Sequence, residues 1–186
     1  MLILLTGEPG VGKSTVLLRL VELLREEGVG VGGVIAKEVR DEVSGDCSGG
    51  KGRRIGFEFI DVTSNSRVRL ASIGIDGPRV GRYGIDLDGC KAAANMLLKS
   101  MNSNVIVFDE IGPMELLSPH IIESLQYLLD ESSREDIIVI VVMHKRFKHW
   151  IINRYKERAS MLVEVSKENR GSLPEMLLDT IRKNKR

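Results

Sequence analysis

A layered α/β fold with a mostly parallel sheet is predicted by three observations. Short, wholly apolar runs at residues 2–5, 105–108 and 137–143 read as strands buried on both faces, the habit of parallel sheets. Between them lie segments with apolar residues at helical spacing. The two kinds of segment alternate along the chain, which is the order of successive βαβ units.

Residues 2–5 run into a Gly-rich turn and are expected to form a central strand. Val16, Leu17, Leu20, Val21, Leu23 and Leu24 then recur at helical spacing up to Gly28, with Arg19, Glu22, Arg25, Glu26 and Glu27 on the other side. A helix therefore follows the turn. Residues 29–39 are rich in Gly and Val, and residues 41–52 are polar and Gly-rich, the composition of an exposed loop or hairpin tip. Residues 55–62 and 68–73 predict two strands paired antiparallel through the turn Thr63-Ser64-Asn65-Ser66. Residues 74–84 hold several glycines, Pro78, Arg79 and Arg82 but little apolar material, which predicts a mobile loop over a site. Helices are expected at 92–101 and 119–129, and buried strands at 105–108 and 137–143. Residues 149–159 predict an amphipathic helix whose Trp150 and Ile151 pack into the core. A strand at 162–165 then closes the sheet, and a helix at 173–181 precedes a frayed basic end at 183–186.

The length of 186 residues favours one domain over 1–186. With 42% apolar and 28% charged residues, the chain has the balance of a soluble globular protein rather than a disordered or fibrous one. Its net charge of +1 supplies no global field toward nucleic acid or an anionic membrane, so neither is indicated as a partner. No stretch reaches the ~18 apolar residues of a membrane span, and the opening apolar run is too short for a secretory leader. Cys47 and Cys90 lack the spacing of a zinc site or a disulfide framework and are given no role. A cytoplasmic monomer is the expectation.

Gly7-Glu8-Pro9-Gly10-Val11-Gly12-Lys13-Ser14 matches G-x-x-x-x-G-K-[ST] in full, between a predicted strand and a predicted helix. Phosphate oxygens need many donors at close range. Glycines let successive backbone N–H groups converge on one centre without Cβ interference, and the helix that begins there adds its free N–H groups and positive dipole end. Lys13 is expected to reach the β- and γ-phosphates of a nucleoside triphosphate, Ser14 to ligate Mg²⁺, and Thr15 to add a phosphate contact.

The run Val105-Ile106-Val107-Phe108-Asp109-Glu110 delivers two carboxylates where an apolar strand emerges. Asp109 is expected to hold Mg²⁺ through water alongside Ser14, because this small hard cation keeps most of its hydration shell. Glu110 is expected to orient or deprotonate the attacking water. Glu115 falls in a loop-like segment and fits a supporting role behind these acids or a surface position equally well. Positive charge on the leaving oxygens commonly comes from an Arg on a closing loop; Arg79 and Arg82 are candidates for that, or are ordinary solvated loop charges. His144, after the third buried strand, reads as a γ-phosphate sensor or as a surface His.

Several segments together resemble the small nucleoside-triphosphatases of thermophiles and their cancer-related vertebrate relatives. They are the phosphate motif through Thr15, Glu38-Val39-Arg40, Arg54-Ile55-Gly56-Phe57, Arg79-Val80-Gly81-Arg82-Tyr83-Gly84-Ile85-Asp86, Asp109-Glu110-Ile111-Gly112-Pro113-Met114-Glu115-Leu116 and Glu168-Asn169-Arg170. The resemblance implies a three-layer, RecA-like P-loop core and slow hydrolysis of ATP, GTP and other triphosphates with Mg²⁺. It also implies phosphate roles for the loop arginines and positions near the base for Asn169 and Arg170, which otherwise read as a helix-capping turn. The chain departs from the family pattern at Ile35-Ala36-Lys37, where an aromatic, Thr and an acid are commoner, and at Pro113, which replaces a common Lys. Two other readings use the same cradle: a nucleotide or small-molecule kinase, and a slow nucleotide-dependent switch acting on an RNA or protein partner. Glu110 beside Asp109 favours water as the acceptor.

Overall fold

The computed structural model describes residues 1–41 and 52–184. The loop expected at 41–52 falls almost wholly outside the described residues, as do Cys47 and the last two residues of the basic end.

The chain begins with β1 (Leu2–Thr6), α1 (Lys13–Glu26) and β2 (Val31–Arg40). Four strands follow: β3 (Arg54–Asp61), β4 (Arg67–Ser72), β5 (Arg79–Val80) and β6 (Tyr83–Ile85). Next come α2 (Leu87–Lys99), β7 (Val105–Ile111), α3 (Pro119–Glu131) and β8 (Ile138–Met143). The described chain closes with α4 (Trp150–Arg158), β9 (Met161–Glu164) and α5 (Leu173–Asn184). All described strands share one sheet in the order β5-β6-β4-β3-β2-β7-β8-β1-β9. From β2 to β9 every pairing is parallel, and from β2 outward to β5 every pairing is antiparallel.

Two apolar clusters make this sheet the middle of three layers. On one face Ile3, Leu5, Val105, Val107 and Ile140 pack under Val16, Leu17, Leu20 and Leu24 of α1 and Leu177 and Ile181 of α5. On the other, Leu2, Leu4, Ile106, Phe108, Val139 and Val141 pack under Ala93 and Leu97 of α2, Ile121 and Leu125 of α3, and Ile151, Ile152 and Tyr155 of α4. Alternate residues of one strand thus serve opposite layers, which is why β1, β7 and β8 read as unbroken apolar runs rather than alternating ones. The expected α/β architecture, mostly parallel with added antiparallel strands, is the observed one.

Three local expectations are corrected. Residues 74–84 are not loop throughout: they contain β5 and the start of β6, and Tyr83, Gly84 and Ile85 are buried. Tyr83 sits edge-on to Phe57 with ring centroids 5.2 Å apart, so a few apolar residues suffice where the sheet and a neighbouring ring supply the rest of the packing. Trp150 does not pack into the core; it is 47% exposed, and Ile151 and Ile152 carry the buried side of α4. Helix α2 begins five residues earlier than its apolar pattern, because the Asp86 side chain accepts from the Gly89 N–H and caps it.

Candidate active site

The cradle forms where β1 leaves the sheet. Gly10 and Gly12 take φ values of 75° and 109°, a left-handed region that a side chain disfavours. Gly12 is the N-cap of α1; no side chain caps this helix, and its first turn contains no acid. The orphan N–H groups at that end are therefore left to an anion, and the dipole reinforces them.

Lys13 is 7% exposed. Its Nζ donates to the carbonyl of Gly7 at 3.2 Å and of Glu8 at 3.5 Å, and lies 3.4 Å from Glu110 Oε2. Glu110, 26% exposed, thus faces the cradle from across the sheet. The ladder between β7 and β8 is irregular from Phe108 to Ile111, and Asp109 and Glu110 lie at that irregularity. Asp109 is 1% exposed, and neither of its carboxylate oxygens receives a hydrogen bond of ordinary geometry among the described residues. Desolvation by burial raises its pKa to about 7, with the Glu110 charge adding to the rise; the nearby Ser14 hydroxyl and Lys13 oppose it.

Behind these acids is a third carboxyl group. Glu115 is buried at 7% exposure, in a short 3₁₀ turn after β7. Burial raises its pKa to about 8, the charges of Glu110 and Asp109 add to that, and backbone hydrogen bonds from Glu115 itself and Gly112 oppose it. The surface position weighed from sequence is thus excluded. Only the apolar Ile111, Met114 and Leu116 around it hinted at burial.

Other candidate residues fall around the rim. Glu8 pairs with Lys145 at 3.1 Å and Arg146 at 3.0 Å, and hydrogen bonds from these cations hold it below the usual carboxylate range. Arg170 donates to the Val11 carbonyl at 3.1 Å, against the cradle. The Asn169 side chain instead spans its own turn, accepting from Ser166 N–H and donating to the Glu164 carbonyl. Arg79 donates to the Ile75 carbonyl, and Arg82 to the Arg54 carbonyl and the Tyr83 hydroxyl. Both arginines lie on the hairpin at the far antiparallel end of the sheet, engaged there rather than with Lys13 or Glu110. Nδ1 of His144 accepts from the N–H groups of Arg146 and Phe147, which leaves the neutral ring's proton on Nε2. Cys90 is a buried free thiol raised to about 12, chiefly by desolvation, far from nucleophilic chemistry.

A hard divalent cation fits this donor set. Asp109 brings two buried oxygens lacking partners, and Ser14 a hydroxyl beside them. Among the described residues no group of three or more His, Cys, Asp or Glu side chains could enclose a metal ion. A cation held here would complete its shell with water and phosphate oxygens, which is how Mg²⁺ is commonly bound.

Comparison with known proteins shows the family. The NTPase family model matches residues 2–178. The chain is 36% identical to the nucleoside-triphosphatase THEP1 of Methanopyrus kandleri over 96% of this chain and 94% of that protein. With the THEP1 of Methanocaldococcus jannaschii it shares 33% identity over 97% of each. Two solved structures superpose over nearly the whole chain. The solution structure of a human cancer-related nucleoside triphosphatase has a TM-score of 0.77 at 31% identity, with 97% of each chain covered. The crystal structure of THEP1 from Aquifex aeolicus has a TM-score of 0.78 at 25% identity, covering 97% of this chain and 99% of that one. A full phosphate cradle, an acidic pair opposite it and homology along the whole sheet lead to one conclusion: the chain belongs to the NTPase family and is a nucleoside-triphosphatase.

Proposed function

We propose that the protein hydrolyses ATP, GTP and other nucleoside triphosphates to the diphosphate and phosphate in a Mg²⁺-dependent reaction at the Lys13–Glu110 site. The observation that carries this reading is the pairing of Lys13 with Glu110 at 3.4 Å directly beside the unpartnered oxygens of Asp109. A terminal phosphate entering the cradle competes with the Gly7 and Glu8 carbonyls and with Glu110 for Lys13. As Lys13 turns to the phosphate oxygens, Glu110 is released from its ion pair and becomes free to accept a proton. A water oriented by Glu110 attacks the γ-phosphorus; its oxygen forms the new P–O bond, the bridging β–γ P–O bond breaks, and the water's proton passes to Glu110.

Ser14 and Asp109 would hold Mg²⁺, which when bound offsets negative charge on the phosphates. The backbone N–H groups from Gly7 to Thr15 bind the polyphosphate. Arg170, already against Val11, and Asn169, which shapes that turn, would lie near the base, the role the family resemblance implies for both. Arg79 or Arg82 would supply further positive charge on closure of the 74–84 segment, after exchanging its present carbonyl partner for phosphate. We propose a cytoplasmic setting, since a buried free thiol such as Cys90 suits a reducing compartment, and a monomer.

Phosphate release from each triphosphate, with Mg²⁺ or with a chelator, tests this reading. Lys13→Ala should lose both binding and turnover. Glu110→Gln should keep nucleotide affinity while hydrolysis falls about 10²- to 10⁴-fold. Equal turnover in the native chain and both variants would refute the assignment.

A further inference from the structure

The segment after β8 interleaves bases and rings: His144-Lys145-Arg146-Phe147-Lys148-His149-Trp150. The rings are ordered against one another. Phe147 and His149 are stacked, 9° from parallel with centroids 6.5 Å apart. His149 and Trp150 are 5.5 Å apart, and His144 stands edge-on to Phe147 at 6.3 Å. Trp150 is 47% exposed. Arg154 follows it by four residues on the flank of α4, half-buried beside the face formed by Ile151, Ile152 and Tyr155.

Charge is concentrated in the same place. From residue 144 to 158 the cations are Lys145, Arg146, Lys148, Arg154, Lys156 and Arg158, and the single acid is Glu157. The net charge of +1 conceals this excess. Lys145 and Arg146 are engaged with Glu8 and Arg158 with Asp130. Lys148, Arg154 and Lys156 make no ion pair among the described residues. The surface therefore sits at the rim of the phosphate cradle, joined to it through Glu8; Phe147 lays one side against the core and His149 caps α4 through Nδ1, and the proposed hydrolysis uses none of the rings from Phe147 to Trp150.

We propose that this surface binds single-stranded nucleic acid, with bases stacking on Trp150 and the Phe147–His149 pair and backbone phosphates meeting Lys148 and Arg154. An exposed Trp150 beside the half-buried Phe147 and His149, with cations between them, suits a strand whose bases are unpaired, because every base has a face to stack and every linkage carries a charge. One base occupies one ring surface only, whereas the rings here continue from Phe147 to Trp150 with cations on both sides. A duplex keeps its base faces stacked inside and offers such rings nothing.

Trp150 is the chain's sole tryptophan, so the intrinsic emission of the full-length protein reports on this site. Titration with an oligothymidylate of about 15 nucleotides should quench it saturably. The affinity should fall with salt at a log–log slope of about −0.7 for each phosphate contact. By anisotropy of a labelled oligothymidylate, Trp150→Ala should weaken binding roughly 5- to 150-fold. Lys148→Glu combined with Arg154→Glu should abolish it, with basal phosphate release unchanged in both variants. The proposal is overturned if the strand gives no quenching, if the variants bind as the native chain does, or if a duplex of equal length binds as tightly. It is equally overturned if thymidine monophosphate at the same base concentration, or vesicles of anionic phospholipid, quench as well as the strand.

Discussion

Glu115→Gln should flatten the pH dependence of stability. In the folded chain the Glu115 proton is held up to a pKa of about 8, against the ordinary 4.5. Between those values the native state keeps a proton that the unfolded chain releases, so stability falls as pH rises through this window. Each pH step of one is worth about 1.4 kcal/mol at its steepest, and integrating from about pH 5.5 to about pH 8.5 gives roughly 3 kcal/mol from this carboxyl alone. Gln keeps the shape and removes the titration. Asp109, raised to about 7, titrates in the same window and is coupled to Glu115, so the difference between the two chains reads the Glu115 titration together with its coupling to Asp109. The assay is urea unfolding of the native and Glu115→Gln chains at the two pH values, without nucleotide or metal. The native chain should lose about 3 kcal/mol more than the variant on going to the higher pH. Parallel losses would refute the claim that Glu115 is folded in its protonated form.

Two further substitutions probe the frame and the rim. Gly33→Ala should cost more than about 3 kcal/mol, read as a lower urea midpoint, because Gly33 has a φ of 125° and a Cβ there would run into the Val107 carbonyl of the neighbouring β7. Arg170→Ala should raise the KM for all triphosphates alike and leave kcat unchanged, since its guanidinium touches the cradle at the Val11 carbonyl and no reacting group; a selective fall in kcat would contradict that.

How much was legible follows the reach of each interaction. The cradle is continuous in sequence, and its glycines act through their own backbone, so its left-handed turn and the start of α1 were legible in the motif. The apolar runs at β1, β7 and β8 announced burial on both faces, which only a sandwiched parallel sheet provides. Residues 29–39 were harder, because Gly32 and Gly33 interrupt the apolar pattern; the reason for Gly33 lies in β7, more than seventy residues away. Trp150 misled because its hydrophobicity argued for burial while Ile151 and Ile152 filled the space available. Glu115 was ambiguous because a carboxyl group is usually solvated, and only the packing of the 3₁₀ turn behind β7 takes it out of water.

From sequence alone come the P-loop, the alternation of strands and helices outside residues 29–39 and 74–84, the acidic pair and the family, since each is written in contiguous residues or in periodicity. Tertiary structure alone decided the 3.4 Å approach of Glu110 to Lys13, the desolvation of Asp109 and Glu115, the distant engagement of Arg79 and Arg82, and the pairing of Glu8 with Lys145 and Arg146. These depend on which strands lie side by side, and strand adjacency is set by the summed burial of two apolar clusters rather than by any local run of residues.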